Sequence, residues 1–156
     1  MNAFYAQHIS RKQLIGAIFN ELGPICKPTG NTAPVEWQVK QAAEVFHWRY
    51  DEERDYPILI GQLELWSPQS CTTKPDFEDI LVSNTAIFSA FPAAITQTEP
   101  SGQLMLSWQC TLSNGLRSTT LVQIMQTLTE LKKALTIRWS LGSLSSSSAS
   151  NKAWLH

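Results

Sequence analysis

Apolar residues along this chain switch between two rhythms, and the switches predict its elements. Leu14, Ile15, Ile18, Phe19 and Leu22 recur at three- and four-residue spacing, the mark of one buried helix face. Ser10 is a candidate N-cap for that helix, and Gly23-Pro24 stops it. After a loop rich in Pro, Gly, Thr and Asn from Pro24 to Pro34, the period becomes two. Val35, Trp37 and Val39 share a face of a first strand, Val35 to Lys40, and in a second, Glu44 to Asp51, Phe46, Trp48 and Tyr50 oppose Val45, His47 and Arg49. A third strand, Tyr56 to Trp66, sets Leu59, Leu63 and Leu65 against Ile58, Ile60 and Trp66. It is apolar on both faces, which predicts a central position or cover on both sides. Asp51-Glu52-Glu53-Arg54, with Asp55, reads as a solvated charged turn between the last two strands.

Helical spacing then returns. Phe77, Ile80, Leu81, Ile87, Phe88 and Phe91 predict a helix from Phe77 to Phe91 that runs into Pro92. Pro75 suits its first turn, and Asp76, Glu78 and Asp79 suit the positive end of its dipole. A strand near Ile95 turns at Pro100-Ser101-Gly102 into an unbroken alternation: Leu104, Leu106, Trp108, Cys110 and Leu112 point one way, and Met105, Ser107, Gln109 and Thr111 the other. One face is core and one is wet. A last helix, Ser118 to about Trp139, carries the stripe Leu121, Ile124, Met125, Leu128, Leu131 and Leu135. The serine-rich run that follows has too little apolar surface to offset the entropy of ordering it. The expectation is one domain over residues 1–141 and a disordered tail over 142–156, with Trp154-Leu155 as an apolar end.

Composition narrows the function by exclusion. Twelve basic against thirteen acidic residues leave a net charge of minus one with no basic stripe, so nucleic acid is not an expected partner. Apolar runs such as Ile58 to Ile60 are far too short to cross a bilayer, and the start of the chain lacks the features of a signal peptide. A protein of the cytosol, without membrane insertion, is expected. Cys26, Cys71 and Cys110 are odd in number and irregularly spaced, which fits reduced thiols. No paired cysteines, His-Glu-x-x-His or acidic loop predicts a metal, and no glycine-rich loop predicts a nucleotide. Cys110 falls on the apolar face of its strand, and neither His8 nor His47 sits in a catalytic signature, so no catalytic residue and no cofactor is expected. The positive signal is aromatic: six Trp and six Phe exceed what one small core comfortably hides, and a remainder on the surface would mark a protein-binding patch.

The order helix, three strands, helix, two strands, helix, with the stretch Ile80-Leu81-Val82-Ser83-Asn84, resembles the class I chaperones of bacterial type III secretion, the customised Tir-chaperone-like family. The resemblance spans Ser10 to Trp139 and rests on element order and apolar spacing. It implies an α+β fold, α-β-β-β-α-β-β-α, with a twisted antiparallel sheet flanked by helices. It also implies a cytoplasmic homodimer in a bacterium that holds the extended N-terminal segment of an effector, keeping it soluble and secretion-competent without hydrolysing nucleotide. By position, the resemblance assigns the dimer contact to Ile80, Leu81, Asn84, Ile87, Phe88 and Ile95. It assigns the cargo surface to Leu14, Ile18, Trp37, Val39, Phe46 and Trp48.

The near-neutral charge and the approach Phe91-Pro92-Ala93-Ala94 to the strand near Ile95 keep a second reading open, a module of the same fold that scaffolds or regulates another protein. A cysteine-dependent hydrolase is a third.

Overall fold

The computed structural model describes residues 10–29, 35–52, 57–111 and 115–153, with side chains through Leu141. Helix α1 (Arg11–Asn20) opens on a capping box: the Ser10 hydroxyl accepts from the Gln13 N–H at 3.2 Å, and the Ser10 N–H donates to the Gln13 side chain at 3.3 Å. Two of the four N–H groups that a helix start leaves without partners are thereby satisfied, as the sequence predicted for Ser10. The loop expected from Pro24 to Pro34 holds a 3₁₀ turn, Gly23–Ile25, and a short strand β1, Cys26–Pro28. Pro28 is tolerated in that strand because β1 is an edge, where a missing N–H breaks no ladder.

Strands β2 (Glu36–Gln41), β3 (Glu44–Asp51) and β4 (Ile58–Trp66) form a meander. Helix α2 (Phe77–Phe88), β5 (Ala93–Gln97), β6 (Leu104–Thr111) and α3 (Ser118–Ala153) follow. The six strands make one antiparallel sheet in the order β1-β2-β3-β4-β6-β5. The fold is therefore α+β in a single domain, with the expected element order plus one edge strand. β4 is central, between β3 and β6, which explains its apolar residues on both faces.

Register divides the sheet into two faces. Trp37, Val39, Phe46, Trp48, Leu59, Leu63, Leu106 and Trp108 turn to the helices and form the core with Ile15, Ile18 and Phe19 of α1 and Leu121, Met125 and Leu128 of α3. Phe19 stacks on Trp37 with ring centroids 4.2 Å apart, meets Trp48 edge-on at 5.7 Å, and Trp48 meets Trp108 edge-on at 5.8 Å. Four of the aromatic residues thus pack on one another in the core. The other face mixes polar groups with Val45, Ile58 and Ile60: Gln62 donates to Ser107 at 3.1 Å, and Ser107 shares a hydrogen bond with Thr96 at 2.8 Å. Met105 departs from the expected wet alternation, because Glu64 and Thr96 flank it in register and it is buried.

Three boundaries differ from the sequence reading. Asp76, and not Pro75, starts α2: its carboxylate accepts from the Asp79 N–H at 2.8 Å, which leaves Pro75 before the helix. That helix ends at Phe88, short of Phe91. Helix α3 is longer than the expected Ser118 to about Trp139, its bounds being Ser118–Ala153. After α3 is nucleated on the sheet, each further residue adds a hydrogen bond without a new nucleus, and the stretch after Trp139 has no Pro to stop it. Side chains after Leu141 lie outside the described residues, as do His8, Leu112, residues 53–56 of the charged turn, and Trp154-Leu155.

The β2–β3 hairpin turns on Ala42 (φ 52°) and Ala43 (φ 63°), both in the left-handed region. A two-residue loop of this kind favours Asn-Gly, because a Cβ at positive φ crowds the backbone by about 1 kcal/mol or more per residue. Replacing Ala42-Ala43 with Asn-Gly is expected to raise stability by roughly 1 to 2 kcal/mol, read as a shift of the urea midpoint at unchanged slope. An unchanged or lowered midpoint would mean that the turn is not strained.

Candidate functional site

Helix α2 lies along the open edge of β5 and closes it with one side chain. The Asn84 carboxamide accepts from the Ile95 N–H and donates to the Ile95 carbonyl at 3.2 Å, replacing the neighbouring strand that Ile95 lacks. An unpaired strand edge is a template for adding another strand, and Asn84 blocks it at Ile95. Truncating Asn84 to Ala is expected to lower stability by about 1 to 3 kcal/mol in chemical unfolding. Asn84→Asp is expected to lose at least as much, since the carboxylate would face the Ile95 carbonyl. Wild-type stability in both variants would show that the edge does not depend on this clamp.

On the flank of α2 beside Asn84, Phe77, Leu81 and Phe88 follow at intervals of four and seven, one row on the helix surface. All three are exposed, Phe77 by 74%, Leu81 by 49% and Phe88 by 72%. Apolar residues scattered singly on a surface are ordinary; three large ones in a row are the kind of patch that marks an interaction site. Ser83 and Ile87 point the other way, into the core, and the Trp139 indole N–H of α3 donates to the Ser83 hydroxyl at 3.4 Å. The burial of Ser83 and Ile87, with the Asn84–Ile95 bonds, leaves the Phe77–Leu81–Phe88 row in water.

Sequence candidates for the dimer contact therefore divide. Leu81 and Phe88 are exposed, Ile80 and Asn84 are partly buried, and Ile87 and Ile95 are core residues. Phe77, assigned only to the helix pattern, joins the exposed row. Its signal was present in the sequence as the spacing from Leu81.

For the cargo surface the structure requires a larger correction. Trp37, Val39, Phe46 and Trp48 are buried on the helix-covered face of the sheet, and Ile18 is buried on the side of α1 that packs into the same core. Strand alternation placed the four sheet residues on one face, and α1 and α3 cover that face. Of the six candidates Leu14 alone is exposed. It shares a helix row with Ile18. Beyond that row, Leu22, Ile25, Thr119 and Val122 line an open cleft of about 400 Å³ between the end of α1 and the start of α3. The Ser118 hydroxyl donates to Glu21 at 2.8 Å beside it.

Among the described residues, Cys26, Cys110 and His47 stand apart. Cys26 and Cys110 pair in register with Val39 and Leu59 and belong to the helix-covered side, while His47 pairs with Gln38 and Gln62 on the opposite face. Burial pushes both thiols up, away from the thiolate needed for attack. Tyr50 is pushed up to about 12 by burial and by its hydrogen bond to Glu52 at 3.0 Å, which keeps it a neutral donor. Among the described residues, no group of three His, Cys, Asp or Glu could hold a metal ion, and no helix is long and apolar enough to cross a membrane. No family model and no curated protein matches the chain.

Proposed function

We propose that the protein is a non-catalytic binding module of the type III secretion chaperone kind. In this reading it is a bacterial cytoplasmic homodimer that holds the extended N-terminal segment of an effector and keeps it secretion-competent without nucleotide. The observation that carries the reading is the exposed row Phe77, Leu81, Phe88 beside a clamped sheet edge, on a chain with the element order of that family. A second copy laid on that row removes it from water. The cargo surface is then the exposed side of α1 and the cleft behind it, with Leu14, Leu22, Ile25 and Val122 as the apolar contacts. Apolar clefts that take spaced side chains suit an extended segment, and such a segment binds through a few buried anchors.

Co-expression with the protein encoded by the adjacent reading frame tests this. The expected result is a soluble complex in which the client's N-terminal segment is protected from protease, and in which Leu14→Asp with Ile25→Asp releases the client without lowering the melting temperature. A complex formed only with a folded partner domain would favour the regulatory reading of the same fold. Retention of the client by the double variant would remove the α1 surface from the proposal.

A further inference from the structure

On the flank of α2 away from the exposed row, α2 and α3 diverge and leave a cleft of about 370 Å³. Its walls are Ser83, Ala86, Ile87, Ala90 and Phe91 on one side and Thr127, Leu131, Ala134, Leu135 and Arg138 on the other. Three alanines, Ala86, Ala90 and Ala134, stand where larger side chains would close the gap between the helices. The wall is apolar apart from two hydroxyls and one charge, the Arg138 guanidinium. Ser83 is already engaged by Trp139. Asp79, one turn before Ser83 on α2, feels Arg138 as the smallest of the influences on its carboxyl, behind burial and the neighbouring acids Asp76 and Glu78. Among the described residues no ion pair within 4 Å joins Arg138 to an acid.

The size is that of a small-molecule site, which starts near 300 Å³, and falls short of a docked helix. An apolar wall with a single cation at its rim complements an apolar chain ending in an anion, and a guanidinium accepts a carboxylate by two parallel hydrogen bonds. We propose that this cleft binds a medium-chain aliphatic carboxylate, its chain against Ala86, Ala90, Ala134 and Leu131 and its carboxylate on Arg138. The site is separate from the α2 row and from the α1 surface, so it stands or falls independently of the chaperone reading.

Dodecanoate, kept below the concentration at which it forms micelles, is the probe, with binding read by calorimetry on the full chain. The expected result is saturable one-to-one binding. Dodecanol and dodecyltrimethylammonium, which keep the chain and lose the anion, are expected to bind at least about tenfold more weakly, as is dodecanoate to Arg138→Gln, each comparison removing one charge-assisted interaction. Ala134→Trp, which fills the cleft from an exposed position, is expected to abolish binding while the melting temperature holds. If that variant unfolds, Ala90→Phe makes the same test from the opposite wall. Absence of saturable binding, equal affinity for the alcohol, or undiminished binding in a folded cleft-filled variant would each overturn the proposal.

Discussion

Trp48→Ala is expected to lower folding stability by about 3 to 5 kcal/mol, a large part of what a domain of this size possesses. The ring is 1% exposed, sits edge-on to Phe19 and Trp108, and lies across Gly61, where an added Cβ would come within 2.8 Å of it. Gly61 is thus the space in which the indole rests. Gly61→Ala alone is expected to cost about 1 to 3 kcal/mol by overpacking. Combined with Trp48→Ala it is expected to cost less than the two losses added together, because the cavity receives the new methyl. Urea unfolding of the four proteins measures the cycle. Strict additivity would mean that the ring and the glycine are not in contact.

In light scattering, the wild type is expected to be a dimer at micromolar concentration, and Leu81→Asp with Phe88→Asp is expected to be a monomer with an unchanged melting temperature. Central apolar anchors of an interface are commonly worth 2 kcal/mol or more each, and a charge in place of one adds a desolvation penalty. Together the two substitutions are expected to weaken association by three or more powers of ten. Phe88 is largely exposed and Leu81 half exposed in the monomer, and neither belongs to its buried core. That separates this pair from Ile87, whose replacement is expected to lower stability. A wild-type monomer, or a variant that stays dimeric, would remove the α2 row as the contact between copies.

The alternation of Phe46, Trp48 and Tyr50 against Val45, His47 and Arg49 was legible because a strand has a fixed period of two. The same alternation could not say whether the apolar face was open to a partner or roofed by α1 and α3. That is a fact of tertiary packing, and it moved Trp37 and Trp48 from a supposed cargo surface to the centre of the core. In α2, apolar residues surround much of the helix, so spacing alone left its wet side open. Tertiary contacts between residues distant in sequence settle it: Ser83 and Ile87 are buried, and Asn84 bonds Ile95. Asn84 belonged to the contact stretch by position, yet its carboxamide acts on Ile95 within its own chain. Ala42-Ala43 gave no turn signal, because alanine is not the residue that such a turn prefers. Cap chemistry read well at Ser10, where the box is local, and less well at Asp76, where Pro75, expected in the first turn, lies just before the cap.

The sheet order carries a consequence for how the chain is made. β4 finds its second neighbour, β6, only after α2 and β5 have intervened, while β1, β2 and β3 are complete before it. As the chain leaves the ribosome, the amino-terminal meander therefore waits with β4 as a bare border, apolar on both faces and without a clamp of the kind Asn84 provides at the far side. Such a border invites strands from neighbouring nascent chains. Slowing synthesis between Trp66 and Leu104 should lengthen that exposure and lower the soluble yield, and raising the temperature of expression should aggravate it.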